Sequence, residues 1–159
     1  MASITRCWPI VLSLALAACG GDPQGSTVRS ARIEDGALRL ELDLRFTDTL
    51  LQALDHGIPL QLALHVDGAS ASVQRIELRY RPLSRQYELR LPGEADARVF
   101  ASRARLLAAL DRVVLSEVSA DSGRVRVELV SSALPAPLRL PALIERDWQL
   151  ATPQRSWSR

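Results

Sequence analysis

Residues 28–159 are expected to fold as one mainly β domain, an antiparallel β-sandwich with two short helical insertions. Three observations predict it. Apolar and charged residues alternate with period two in several segments, so that each strand has one buried and one wet face. Two intervening segments carry their apolar residues at helical spacing instead. The 159-residue chain is 47% apolar and 24% charged, enough for a single core and unlike a disordered or collagen-like composition. One-sided alternation indicates antiparallel pairing, because parallel strands buried on both faces read as continuous apolar runs. A single antiparallel sheet packed by both helices is the alternative arrangement of the same elements.

Taken in order, Leu38, Leu40, Leu42, Leu44 and Phe46 alternate with Arg39, Glu41, Asp43 and Arg45, and residues 28–33 form the hairpin partner across an Asp35-Gly36 turn. Thr47-Asp48 caps a short helix with the stripe Leu50, Leu51 and Leu54, stopped by Gly57 and Pro59. Alternation returns at Leu60, Leu62, Leu64 and Val66, and again at Ile76, Leu78 and Tyr80, opposed by Arg75, Glu77, Arg79 and Arg81. Pro82 to Arg85 make a turn into Tyr87, Leu89 and Leu91. A longer helix is expected at about 98–112, with Val99, Leu106, Leu110 and Val113 as its stripe and Phe100 and Leu107 alongside. Val125, Val127 and Leu129 form a further strand, giving six or seven in all. Residues 134–143 hold three prolines and are expected to be extended, leading into Trp148 and Trp157. There is no internal repeat.

The first residues carry an address rather than a fold. One positive charge before an apolar run at residues 8–18, too short for the roughly 20 residues that span a bilayer, predicts a secretory signal peptide over residues 1–18. The run ends in Leu16-Ala17-Ala18-Cys19-Gly20, which resembles a bacterial lipobox. Its small residues suit a protease cleft, and the Cys19 thiolate is the nucleophile that accepts the lipid. Residues 19–27 then read as the lipidated cysteine and a flexible Gly/Pro/Ser tether. The expected address is the periplasm of a bacterial cell envelope, with the membrane as a partner through Cys19. Gly20, rather than an aspartate, favours the outer membrane. Ala15-Leu16-Ala17 also fits ordinary signal cleavage, which would make the protein soluble and periplasmic. With Cys7 removed and Cys19 acylated, no thiol is left for a disulfide, a nucleophile or a metal site.

The side-chain inventory argues against catalysis. All 20 basic residues are arginine, so no Schiff-base or P-loop lysine exists, and 18 acids leave a net charge of only +2, which advertises no nucleic-acid surface. His56 falls at a helix C-terminus, where the dipole favours its charged form. His65 could join Asp67 as a metal or acid/base pair, but both lie on an open strand face where solvated side chains are the rule. Glu41, Asp43 and Glu77 could supply acid/base carboxylates, yet each is flanked by arginines suited to cross-strand ion pairs. Arg75, Arg79, Arg81 and Arg90 could bind an anion, but Glu77 and Glu88 interrupt them. No H-E-x-x-H, G-x-S-x-G or Gly-rich phosphate loop is present. The expectation is no catalytic residue, no cofactor and no metal. Trp148 and Trp157 either cover the open end of the core or, with Arg146 and Arg155, form a partner surface.

Several motifs in order carry a resemblance: Gly57-Ile58-Pro59-Leu60, Arg79-Tyr80-Arg81-Pro82-Leu83-Ser84-Arg85-Gln86-Tyr87, Phe100-Ala101-Ser102, Leu134-Pro135-Ala136-Pro137-Leu138, then Asp147-Trp148-Gln149-Leu150 and Trp157. Over residues 28–157 the chain resembles the bacterial domain-of-unknown-function family DUF4390. The resemblance implies an exported protein, encoded in many cases beside a membrane sensor kinase, with no assigned activity and therefore no catalytic residue to carry over. The connection at residues 67–72 is shorter than the family pattern, and the lipobox is a further departure. The functional expectation is a membrane-tethered, non-enzymatic binding module of the periplasm with an envelope protein partner, possible sensor systems included. A structural or assembly factor of the envelope is the alternative, and a carboxylate-dependent hydrolase ranks below both.

Overall fold

A computed structural model describes residues 25–116, 118 and 120–158. The signal segment, Cys19, most of the tether and Arg159 lie outside the described residues. Among the described residues, nine strands form two antiparallel sheets, and three α-helices pack beside them. The chain is mainly β and sandwich-like, as its alternation predicts. The smaller sheet has the order β1 (Thr27–Glu34), β2 (Ala37–Asp43) and β7 (Arg112–Leu115). The larger runs β6 (Arg98–Phe100), β5 (Gln86–Arg90), β4 (Ala71–Arg81), β3 (Leu60–Asp67), β8 (Ser122–Leu129) and β9 (Arg155–Ser158). The two meet where β1 packs beside β9.

Local chemistry explains the elements that were legible. Asp35 and Gly36 both take positive φ, 54° and 76°, the two-residue turn whose twist matches the hairpin β1–β2. Helix α1 (Asp48–Asp55) starts at Thr47, whose Oγ1 accepts from the Leu50 amide. It stops in paired reverse bonds, Ile58 N to Ala53 O and Gly57 N to Leu54 O, with Gly57 at φ 85°. Its buried stripe is Leu50, Ala53 and Leu54, whereas Leu51 is only half-buried. Strand β2 ends at Asp43, and Leu44 and Phe46 pack on the core from the connection beyond it.

Three segments differ from expectation. The stretch expected as one helix at 98–112 is a strand, a helix and a strand: β6, α2 (Arg103–Leu110) and β7. Ser102 caps α2 by accepting from the Arg105 amide, so nothing before it is helical. Val99 and Val113 are β-branched and find partners in β5 and β2, and this pairing overrides the helical spacing. Leu106 and Leu110 are buried as expected, but Val113 is buried by its strand, opposite Leu40, and Val99 is exposed. The second correction is residues 134–143. They are not extended: α3 (Ala136–Ile144) is helical despite Pro137 and Pro141. Pro137 stands in the first turn, where the amide has no helical partner to lose, and Pro141 forfeits a single bond to the carbonyl four residues back. The third is β9, which had no apolar alternation to show it.

The segment before β9 extends the pairing along β8. Leu129 N donates to Leu150 O, and Thr152 N donates to Val127 O, both at 2.8 Å. Val127 N finds the Thr152 hydroxyl instead of a carbonyl, at 2.9 Å, so a side chain supplies the ladder bond just before Pro153 interrupts it.

The core is dominated by leucine. Leu60, Leu62 and Leu64 of β3 are fully buried, facing Leu78 and Ile76 of β4 and Leu129 and Val127 of β8 in register. Leu62→Ala is expected to cost about 2–5 kcal/mol in chemical denaturation, the range for truncating a buried leucine. The fully exposed Leu83 serves as control, and Leu83→Ala should stay within about 0.5 kcal/mol of the parent.

Candidate functional site

The outer face of the six-stranded sheet gathers most of the ionisable residues that the sequence singles out, and it pairs them. Register sets Glu77 opposite Arg90 and Arg79 opposite Glu88. Arg81 reaches Glu88 at 2.6 Å, and Arg79 lies 3.6 Å from Glu77. His65 does not join Asp67. Its Nε2 donates to Glu128 Oε1 at 2.8 Å, while Arg126 donates to Glu128 Oε2 at 3.0 Å and Asp67 accepts from Gln154. Glu128 escaped sequence reading because only the β3–β8 register brings it beside His65. His56 donates Nδ1–H to the Gln52 carbonyl at 2.6 Å and stays at its helix terminus.

The smaller sheet repeats this arrangement. Arg29 bonds Asp43 at 2.7 Å, and that hydrogen bond holds the Asp43 carboxyl below the usual carboxylate range. Glu41 stands in register with Arg112. Asp43 therefore makes the cross-strand ion pair expected of it, whereas Glu77 pairs with Arg79 along its own strand. Among the described residues, no group of three His, Cys, Asp or Glu side chains converges in a way that could hold a metal.

One ionisable cluster is partly enclosed. Asp55 at the end of α1 accepts from Tyr87 Oη at 2.8 Å and from Arg103 of α2, so a single carboxylate ties α1, β5 and α2 together. The Tyr87 ring lies 4.6 Å from that of Tyr80. Burial first, then the bond to Asp55, pushes the Tyr87 phenol up to about 12. A phenol so held stays protonated as a donor, which makes this a clasp between elements rather than a base. Because the folded value lies above the ordinary 10.0, the phenol's contribution to stability is complete below pH 10 and is lost as pH rises towards 12.

Trp157 is packed into the core beside one of the clefts. Its indole packs against Gly123, where an added Cβ would come within 2.5 Å of the ring and 2.3 Å of the Asp67 carbonyl. The indole is 4% exposed, and among the described residues its Nε1–H has no acceptor. Nearby, a cleft of about 470 Å³ opens between the β3–β4 turn and the segment after β7, with Val66, Ser70, Ser72, Gln74, Leu115 and Val118 in its walls. Its described lining offers hydroxyls, an amide and apolar surface but no titratable side chain, so it suits a neutral hydrogen-bonding molecule better than acid/base chemistry.

The proposed partner surface needs correction in its aromatic half. Trp148 is 8% exposed, and both indoles belong to the core, while Arg146 and Arg155 are exposed. What the C-terminal segment does expose is aliphatic: Leu140, Leu143 and Ile144 on α3. Reading that segment as extended concealed this face. No helix among the described residues is long and apolar enough to cross a membrane, and Cys19 lies outside them.

Two outcomes follow. Gly123→Ala is expected to destabilise by about 1–3 kcal/mol, since the indole and the Asp67 carbonyl must both move, seen as a melting temperature lower by several degrees. In an absorbance titration of the folded protein, Tyr87 should ionise later than a free phenol, near pH 12, and Tyr87→Phe should remove that late step.

Comparison with curated proteins and with solved structures returns no match. The family model described as a domain of unknown function (DUF4390) matches residues 26–158, from the buried Ser26 before β1 to the last residue of β9. The chain belongs to the DUF4390 family.

Proposed function

We propose that the protein is a lipid-anchored, non-enzymatic binding module on the periplasmic side of a bacterial envelope membrane, with the outer membrane favoured by Gly20. The observation that carries this reading is the lipobox Leu16-Ala17-Ala18-Cys19, followed at once by a Gly/Pro/Ser tether. Where the tether ends, the domain begins. Ser26 is fully buried, and its hydroxyl accepts the Arg45 amide at 2.9 Å, so only a few residues separate the modified cysteine from a fixed point in the fold.

The chemistry of the described residues supports binding over catalysis. Strand carboxylates are balanced by arginines, on the outer face of the larger sheet and also in a cleft of about 510 Å³ where Arg29 bonds Asp43 and Glu41 stands in register with Arg112, and the cleft of about 470 Å³ has no titratable group in its described walls. The partner in this reading is an envelope protein, a membrane sensor among the candidates that the family resemblance suggests.

Cys19→Ala is the decisive variant. It is expected to abolish incorporation of a fatty-acid probe and to move the protein from the membrane to the soluble fraction. Membrane association that survives the substitution, together with undiminished labelling, overturns the anchor.

A further inference from the structure

Helix α3 is built as though both its sides were meant to be dry. Of its nine residues, Ala-Pro-Leu-Arg-Leu-Pro-Ala-Leu-Ile, only Arg139 is polar, and the Arg139 Nε–H is committed to the Leu134 carbonyl at 2.9 Å. One side serves the core through Ala142 and Leu138. The other presents Leu140, Leu143 and Ile144, which are 65%, 66% and 70% exposed. Spaced i, i+3 and i+4, these three share one face, and a helix apolar all round is normally buried all round. Elsewhere the large exposed apolar residues are scattered singly on strands and turns.

The position of this face relative to the tether points to what covers it. Ser26 is bonded to Arg45, and two residues on, Thr47 Oγ1 donates to the Asp147 carbonyl, three residues from Ile144. This chain of links keeps the apolar ridge within about 30 Å of the point where the tether enters the domain. The seven residues from Gly20 to Ser26 reach at most ~25 Å. A domain held that close to its bilayer samples the lipid surface continually, and three aliphatic side chains cannot supply the ~800 Å² per partner that a stable protein interface buries.

We propose that Leu140, Leu143 and Ile144 form a membrane-docking surface, seated in the headgroup region of the bilayer that holds the Cys19 lipid. The proposal rests on the anchor reading above. An apolar helix face lying in the interface penetrates roughly 5–10 Å and orients whatever it carries. Charges around this ridge cancel: Arg139 and Arg146 stand with Glu145 and Asp147. Docking here is accordingly apolar in origin and works on zwitterionic lipid. The acyl chains hold the protein at the membrane; the ridge fixes which side of the domain faces it.

The experiment uses the full lipidated protein in phosphatidylcholine vesicles, with a fluorophore on Leu143→Cys or, as control, on Leu83→Cys. Leu83 projects from the β4–β5 turn, which abuts Gly57 at the far end of α1 from Asp147. Lipids spin-labelled at a shallow position should quench the Leu143 probe at least about twofold more than the Leu83 probe. Adding Leu140→Glu and Ile144→Glu should bring the two to the same level without lowering the melting temperature, since all three side chains are exposed. Equal quenching in unsubstituted protein that still sediments with vesicles overturns the docking surface and leaves the anchor intact. Failure to acquire lipid removes both. A Leu143 probe untouched by spin-labelled lipid but shielded from iodide in native membranes overturns the proposal in favour of a protein partner.

Discussion

Everything in this molecule hangs on β3. It is the strand bonded along both edges in the middle of the larger sheet, and Leu60, Leu62 and Leu64 along its inner face are wholly withdrawn from water. A strand so placed fixes the height and phase of its neighbours, because a slip of one residue would turn three leucines outward on one strand and their partners on two others. With neither a disulfide nor a metal centre among the described residues, burial of aliphatic surface is what remains to offset chain entropy. The arginine-rich exterior follows from the same register. Pairs such as Glu77 with Arg90 and Arg79 with Glu88 stand opposite each other because the leucines beneath them are in phase.

How far the fold could be read in advance depended on whether an element carried its own pattern. Strands β2 to β5 and β8 announce themselves by alternation, β1 as the partner across the Asp35-Gly36 turn, and α1 by its cap and its stop. Strands β6, β7 and β9 are three or four residues long and owe their conformation to the strand beside them, which no local pattern reveals. Valine at positions 99 and 113 fits a helical stripe as well as a strand, and only the proximity of β5 and β2 decides. The prolines of α3 misled for a related reason. Pro137 is at home in the first turn, and locating that turn requires knowing where the helix begins, while Pro141 stands in the interior at the cost of one hydrogen bond that the rest of the short helix tolerates.

The candidate site was legible in residue type more than in geometry. That strand carboxylates would be met by arginine across strands followed from interleaving, as Asp43 with Arg29 bears out, although Glu77 turns to Arg79 on its own strand. That His65 would turn to Glu128, 63 positions away, could not. Nor could the seat of Trp157 against Gly123, because the ring that needs the missing side chain comes from β9 and meets it only through the β8–β9 pairing. The aliphatic ridge of α3 was hidden one step further back, behind the conformation of its own segment.

The strand order carries a kinetic consequence. Strand β2 pairs with β7 across 71 to 77 residues and β3 with β8 across 57 to 67, and β1 comes to rest beside β9 at the opposite end of the described chain. Such a topology has high contact order, and loop closure must be achieved before the sheets repay it, which places folding towards the slow end for a domain of this size. Hairpins β1–β2 and β3–β4 can form early and alone, but neither sheet closes until β7 and β8 have arrived. A polypeptide that lingers in open hairpins keeps unpaired strand edges exposed while it folds.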